Sequence, residues 1–372
     1  MIHSRLVGRI KRHLKYTDFH HCIFTTWGKD GIVLKERRHH FPVFFSICLH
    51  GVWNICQGVA TITRSKSIVH RAEGFGLTVA YLSTLLLRFD FDIDYVPGQI
   101  LNYIFSKNGK WFILINPPNS VNTSSFGRSE RIFLNLVSYL FDLLEIGCWG
   151  LSIMLSLLTT FLPCNPPLMS SLFCRNDTFP LGPFPHAGFA VMEGVVMQQA
   201  VMGGSYYLLT IVLISVSFLF LECKILIKGD VQKYRNLQVY EKVLNSCTKG
   251  RIFPVTMWII PCVQIGLGII NIKLGQSNNV DQLRMLVFSA AYLVVLIFTM
   301  ITFSAAGKVN SVSKVWIQQC NRAVRTRGEK LLKKSLQPLK IQFGSNFAEA
   351  LTPLVVQGFC ISQTASALMV MH

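Results

Sequence analysis

Charged residues are scarce in this sequence, and so are the motifs of known catalytic and metal sites. Only 15% of the 372 residues are charged, whereas soluble domains carry about 25%. The chain has no G-x-S-x-G, no H-E-x-x-H and no phosphate-cradling glycine loop, and its 11 cysteines form no C-x-x-C pair. Catalysis and metal binding at neutral pH depend on such groupings. We therefore expect no enzymatic activity, no cofactor and no metal site.

Acidic residues are fewer than basic ones, which leaves a large positive charge to explain. The chain has 36 Lys and Arg against 18 Asp and Glu, a net charge of +18. Zinc-finger spacing and aromatic-rich RNA-binding signatures are absent, so we expect no nucleic-acid partner. In membrane proteins, Lys and Arg accumulate in cytoplasmic loops, where anionic lipid attracts them. The charge therefore favours a membrane protein in contact with lipid.

Hydrophobic residues, by contrast, are abundant and occur in blocks. They make up 51% of the chain and fall into runs of about 20 residues, the length that crosses a bilayer as a helix. We predict an all-α integral membrane protein with seven transmembrane helices. A short second span and a polar seventh span leave six or eight helices as alternatives. The predicted spans are 41–62, 74–89, 131–163, 188–222, 252–275, 283–305 and 349–370.

The distribution of basic residues predicts the orientation of the chain. Most of them fall in segments 1–40, 90–131, 223–251 and 306–346. The positive-inside rule then places the N-terminus in the cytoplasm and the C-terminus outside.

The loop after the third span agrees with this orientation. It contains a sequon for glycosylation at Asn176 and the cysteines Cys164 and Cys174, which we predict to form a disulfide. A second sequon at Asn122 would face the cytoplasm and therefore argues against this orientation of the chain. Sequons also arise by chance, however.

We divide the chain into four regions. They are a basic cytoplasmic segment (1–40), a six-helix transmembrane region with a ligand pocket (41–305), a basic cytoplasmic loop with an anchor helix (306–346), and the seventh helix (347–372). In the third region apolar residues recur three or four positions apart from Val309 to Leu339, which is typical of an amphipathic helix. Such a helix could lie on the inner leaflet, or pack on cytoplasmic extensions of neighbouring spans or subunits.

The stretch before the last helix carries a resemblance to a known family. "KSLQPLKIQFGSNF" places Pro338, Leu339 and Gly344 in a P-L-x-x-x-x-G pattern ahead of a last helix containing several polar residues. Together with the predicted seven spans and cytoplasmic N-terminus, it resembles the arthropod seven-transmembrane chemoreceptors, the gustatory and odorant receptor superfamily. The family's T-Y and Q-F signature in the last helix is absent, because the chain has "CISQTASALMV" there.

This resemblance implies a gustatory-receptor-like subunit of a ligand-gated, non-selective cation channel in the plasma membrane. Four identical or different subunits would surround a pore lined by the last helix. The first six helices would form an outward-facing pocket for a small tastant or odorant. A secondary transporter and a non-conducting receptor-like protein are the alternatives.

One face of the last helix suits a pore. It combines hydroxyl and amide groups with apolar side chains, as a weakly selective cation pathway would require. The alternative is packing between helices, where small and polar residues also occur. The five candidate pore-lining residues are Phe359, Ser362, Gln363, Ser366 and Val370.

A polar and aromatic stretch of the fourth span suits a ligand pocket, since pockets combine aromatic walls with few polar groups. The alternative is that the first part of this helix projects into water. The candidate pocket residues are Glu193, Gln198, Gln199, Tyr206 and Tyr207.

Two acidic residues near the third span, Asp142 and Glu145, lie on one helix face. We expect them at the cytoplasmic interface, paired with Arg88 or Arg131, because isolated charges inside the bilayer are costly.

Overall fold

The computed structural model is almost entirely helical. It describes residues 2–28, 31–65, 68–89, 93–115, 128–166, 168–174, 180, 182–225, 231–276, 282–322, 331, 334–344 and 346–370. Its helices are α1 Ile2–Phe19, α2 His40–Arg64, α3 Ile68–Arg88, α4 Val96–Ile115, α5 Arg128–Phe161, α6 Pro183–Ser205, α7 Ile214–Ile225, α8 Val231–Cys247, α9 Phe253–Gln276, α10 Gln282–Arg322 and α11 Thr352–Val370.

Short elements connect several of these helices. Two π-helical segments, Tyr206–Leu213 and Thr248–Ile252, join α6 to α7 and α8 to α9 without interrupting the helical path. Two short 3₁₀ helices, Arg37–His39 and Met169–Phe173, and two antiparallel hairpins are also present. The first hairpin pairs β1 Thr25–Trp27 with β2 Ile32–Leu34, and the second pairs β3 Gln342–Phe343 with β4 Asn346–Phe347.

All seven predicted spans are helical. Six helical segments are long and apolar enough to cross a membrane, and the apolar part of α3, Gly74–Arg88, is shorter. The prediction of an all-α multi-pass membrane protein is therefore confirmed. The six segments are Arg37–Arg64, Arg128–Phe161, Pro183–Lys224, Val231–Gln276, Phe288–Cys320 and Thr352–Val370.

The fourth span lies at the centre of the bundle. Of the most apolar stretch of Pro183–Lys224, 83% is buried, against 22% to 44% for the other five. The main core surrounds its inner half, where Leu209, Val212 and Leu219 are buried. A helix that is hydrophobic on all sides belongs in an interior, and this one has neighbours on every side.

The basic N-terminal segment is folded against this core. Leu6, Ile10 and Leu14 are four positions apart, so they share one face of α1, and all three are buried. The β1–β2 hairpin follows and turns at Gly31, whose φ of +148° favours glycine. Hydropathy alone misses α1 because its other faces are basic.

Segment 90–131, which the sequence places between the second and third predicted spans, contains the helix α4. Ile100, Leu101 and Ile104 of this helix are buried in the main core. The Asn102 side chain holds the first hairpin, donating to the carbonyl of Ile32 and accepting from its N–H, both at 2.7 Å.

The prediction of one amphipathic helix from Val309 to Leu339 is only partly right. Val309 and Trp316 are buried along α10, and Trp316 stacks on Tyr234 of α8 with ring centroids 4.5 Å apart. This part of α10 therefore packs on α8 of the same chain. Residues 336–341 are extended instead, because Pro338 lacks an N–H donor and restricts the residue before it.

Candidate functional site

The last helix, α11, is attached to the bundle along one narrow face. Pro353, Val356 and Cys360 are its buried residues, and they recur every three or four positions, as expected of one helix side. The side-chain amides of Gln357 on α11 and Gln264 on α9 donate to each other. Gln264 is fully buried, so this reciprocal pair fixes the rotation of α11 against α9.

The five predicted pore-lining residues all lie outside this attached face. Each is exposed on the surface of the single subunit, and the two apolar ones, Phe359 and Val370, are 53% and 87% exposed. The structure therefore gives none of them a packing role within the chain. The list is Phe359, Ser362, Gln363, Ser366 and Val370.

Glu193 of α6 is buried in the bundle and accepts hydrogen bonds from three donors. Its carboxylate accepts from the indole N–H of Trp53 at 2.8 Å, the Gln57 amide at 3.4 Å and the backbone N–H of Met169 at 2.7 Å. Glu193 itself is therefore enclosed by the bundle. Glu193 links α2, α6 and the loop after α5.

The two glutamines after Glu193 have different surroundings. Gln199 accepts from the hydroxyl of Ser46 at 2.9 Å. Gln198 is 4% exposed, and neither its amide nitrogen nor its oxygen has a hydrogen-bond partner among the described residues. A buried polar group without a partner is costly, so Gln198 is a candidate contact for a bound molecule.

Tyr206 and Tyr207 are not near Glu193. Tyr206 follows it by about 20 Å along the helix, and its hydroxyl lies 3.4 Å from that of Thr25 in the first hairpin. The guanidinium of Arg251 lies over the ring of Tyr207, 5.2 Å from its centroid. The five predicted pocket residues therefore divide between two parts of the bundle, one around Glu193 and one beside the first hairpin.

A continuous row of buried polar side chains, which we call the polar seam, connects these two parts. On α2 it consists of five residues spaced three or four apart, so they share one helix face. A polar face in an apolar span is a readable sequence signal, and the prediction missed it. The residues are Ser46, His50, Asn54, Gln57 and Thr61, all buried.

The partners of the seam come from the two neighbouring helices. Arg88 of α3 donates to the hydroxyl of Ser46 at 2.8 Å and lies 3.4 Å from Nδ1 of His50. The ring of Tyr81, also on α3, packs edge-on against His50 with centroids 5.5 Å apart. Gln199, which accepts from Ser46, and Glu193, which accepts from Gln57, supply the α6 side. The seam thus lies between α2, α3 and α6.

The predicted partners of Asp142 and Glu145 are wrong. Asp142 pairs with Arg9 at 2.6 Å, and Glu145 pairs with Arg12. Both arginines lie on α1, which docks on α5 through its apolar face, so the acids are neutralised by the N-terminal helix. Nearby, burial lowers the pKa of His13 to about 4, so its ring is neutral at physiological pH.

The remaining sequence predictions concern the loop after α5. Cys164 and Cys174 are joined by a disulfide, while the sequon at Asn176 lies outside the described residues. A shallow surface groove of about 210 Å³ contains none of the predicted pocket residues. It is lined by Phe133, Phe220, Met300, Ile301, Ser304, Ala305 and Lys308.

Comparison with known proteins gives no match to a family model and no match to a curated protein. Solved structures do match. The insect olfactory receptor OR5 from Machilis hrabei in complex with eugenol aligns with a TM-score of 0.61 at 12% identity, covering 97% of each chain. A second structure of the insect olfactory receptor OR5 from Machilis hrabei aligns with a TM-score of 0.62 at 13% identity, covering 99% of this chain and 98% of the receptor.

The alignment extends over nearly the whole length of both proteins, including the N-terminal helix and the last helix. The resemblance seen before the last helix is thereby confirmed at the level of architecture. Because sequence identity is low, the likeness concerns the fold alone. The chain has the fold of an insect olfactory receptor.

Proposed function

We propose that the chain is a chemosensory receptor subunit of a ligand-gated, non-selective cation channel in the plasma membrane. The observation that carries this proposal is the exposed polar face of α11. Only 22% of the most apolar part of this helix is buried, and Ser362, Gln363 and Ser366 face away from the chain's own helices. Polar groups facing lipid would lack hydrogen-bond partners, so this face requires water or another subunit.

A pore between subunits satisfies that requirement. Hydroxyl and amide groups around a central axis would replace part of the hydration of passing cations without a fixed charge. Four subunits, as the resemblance implies, would place four copies of Gln363 around the axis. Identical subunits or a mixture with another receptor subunit would both produce such a ring.

The ligand would be a small organic molecule bound among the six other spans. The matching receptor structure was determined in complex with eugenol, and the polar seam supplies buried polar groups between aromatic side chains, as ligand sites require. This reasoning supports a tastant or odorant ligand without distinguishing between the gustatory and odorant branches.

Electrophysiology tests the proposal. The full chain would be expressed in cells and exposed to a panel of tastants and volatiles while whole-cell currents are recorded. We expect ligand-evoked currents that reverse near 0 mV in physiological solutions, since a non-selective cation pathway has no strong preference. Saturable uptake of a ligand without such currents would instead identify a secondary transporter. Binding without uptake or current would identify a non-conducting receptor.

Orientation has its own test. With the N-terminus in the cytoplasm and the C-terminus outside, an N-terminal tag should be labelled only after permeabilisation and a C-terminal tag on intact cells. Labelling of the N-terminal tag on intact cells would contradict the proposed channel.

A further inference from the structure

The surface groove described above lies where α5, α7 and α10 meet. Its volume is about 210 Å³, which is below the roughly 300 Å³ at which pockets begin to enclose a drug-sized ligand. The residues that line it are apolar except for Ser304 and Lys308. The groove therefore suits a flexible hydrocarbon chain better than a compact polar ligand.

One face of α10 forms the length of the groove. Met300, Ser304 and Lys308 are four positions apart, so they lie in one row, with Ile301 and Ala305 beside them. The row rises about 12 Å from Met300 to Lys308. It is apolar at one end and carries an ammonium group at the other, so the groove is amphipathic along its length.

Two aromatic rings form the opposite wall. Phe133 of α5 and Phe220 of α7 pack edge to face with ring centroids 5.2 Å apart. Phe220 is 4% exposed, so the bundle holds this wall in place. The ammonium group of Lys224, one turn further along α7, lies 5.3 Å from the centroid of Phe220 and 2.7 Å from a carboxylate oxygen of Glu130. The charge of Lys224 is therefore already balanced within the chain.

Lys308 differs from Lys224, because it is exposed and no described carboxylate forms an ion pair with it. The helix that carries it, α10, contains neither Asp nor Glu. Basic residues also exceed acidic ones within five positions of the lining residues along the three helices. The basic residues there are Arg128, Arg131, Lys224 and Lys308, and the acidic residues are Glu130 and Glu222. The charged end of the groove therefore favours an anion.

All three helices reach the same boundary of the membrane at this groove. Phe133 lies near the start of the third predicted span, Phe220 lies near the end of the fourth, and Ala305 ends the sixth. In the proposed orientation this is the cytoplasmic boundary, where the leaflet contains anionic lipids. Lys308 is then level with the lipid headgroups, and the apolar row of α10 faces the acyl chains.

We propose that the groove binds one anionic phospholipid of the inner leaflet. An acyl chain would lie along the apolar row, and the headgroup phosphate would contact Lys308, since an ammonium group binds phosphate as a point charge. A zwitterionic lipid would bring its own cation to an end of the groove that is already positive. This site lies beyond the ligand pocket and the pore of the proposed receptor, and its assignment to the inner leaflet rests on the proposed orientation.

Native mass spectrometry of the purified full-length protein tests the site. The protein would be reconstituted in nanodiscs that contain equal amounts of phosphatidylserine and phosphatidylcholine with the same acyl chains, and the lipids retained on its release would be counted. We expect the wild type to retain one phosphatidylserine per subunit in preference to phosphatidylcholine. Lys308→Gln should reduce this preference about fivefold, the effect expected of one lysine near an anionic surface. The matched control Lys314→Gln removes an exposed cation of the same helix outside the groove and should leave the preference unchanged.

A second pair of variants tests the part of the groove that would hold the chain. Ser304 is half-buried in the groove, so the ring of Ser304→Phe would fill it, and retention of both lipids should fall. Ala290→Phe adds the same ring at an exposed position near the other end of α10 and should retain the lipid.

These measurements depend on neither conduction nor orientation, so their failure would leave the channel proposal standing. Equal retention of the two lipids by the wild type would overturn the phospholipid site, and so would an undiminished preference in Lys308→Gln or undiminished retention in Ser304→Phe. Displacement of phosphatidylserine by glycerophosphoserine, the headgroup alone, would identify a free phosphate as the occupant. Displacement by octanoate, the chain alone, would identify a fatty acid. Either displacement would also overturn the proposal.

Discussion

The fourth and the last spans are both apolar helices with several polar residues, but they use those residues in opposite ways. The fourth span is 83% buried in its most apolar part and the last is 22% buried. Glu193 of the fourth span accepts three hydrogen bonds inside the chain, whereas Ser362, Gln363 and Ser366 of the last are exposed. Polar residues at the centre of the bundle bond within the subunit, and those of the last span lie on its surface.

The strongest way to test this contrast is to remove the charge of Glu193. In Glu193→Ala the donors of Trp53 and Met169 would lose their acceptor in a buried site, so we expect a loss of roughly 2–4 kcal/mol in unfolding free energy. Denaturant unfolding in detergent measures the effect. Gln363→Ala is the matched control and should change stability by no more than about 0.5 kcal/mol. Equal effects of the two variants would contradict the contrast.

Charge placed at Gln363 should change ion selectivity instead of stability. At an effective dielectric constant of 20, a unit charge about 6 Å from a passing cation contributes roughly 3 kcal/mol. Gln363→Glu should therefore raise the permeability of divalent relative to monovalent cations, and Gln363→Arg should suppress cation current. Reversal potentials under bi-ionic conditions measure this, in variants with normal surface expression. A packing role predicts that both variants lose surface expression alike.

Trp316 of α10 and Leu331, which follows this helix in the sequence, offer the same contrast between buried and exposed apolar residues. Trp316 is 3% exposed and stacks on Tyr234, whereas Leu331 is 65% exposed. Leu331→Glu should weaken assembly of subunits while changing the stability of each by no more than about 0.5 kcal/mol. Trp316→Glu should destabilise the subunit itself. Native mass measurement and thermal unfolding distinguish these results, and intact tetramers of Leu331→Glu would exclude Leu331 from the assembly interface.

The smallest effect concerns the attachment of α11. Gln264→Leu leaves the Gln357 amide without its partner, which should cost about 1 kcal/mol of unfolding free energy. The double variant Gln264→Leu, Gln357→Leu replaces both groups by apolar ones and should recover most of that loss. Additive effects of the two single substitutions would show that the pair does not position the last helix.

The seven spans could be predicted because the length of an apolar run is a property of the sequence alone. The partners of polar residues could not, because they depend on which helices touch. Asp142 and Glu145 pair with α1, whose apolar face of Leu6, Ile10 and Leu14 is too narrow for a hydropathy signal. That docking leaves Arg88 without its expected partner.

The predicted pocket shows a similar limit. Glu193 and Tyr206 belong to the same short stretch of sequence, but they lie about 20 Å apart along the helix. The five-residue polar face of α2 was visible in the sequence, since Ser46, His50 and Asn54 recur every four positions. That this face is buried could not be predicted, because composition does not show which side of a helix packs against its neighbours.

The continuous helical path from Val231 to Gln276 gives the subunit a long lever arm. Its 46 residues extend about 69 Å, more than twice the hydrocarbon thickness of a bilayer. A tilt of about 5° around one end would move the other end by roughly 6 Å over that length. The arm contacts α11 through Gln264 and Gln357, so a small rotation of the arm beside the last helix is the same mechanical event as a large displacement of its far end.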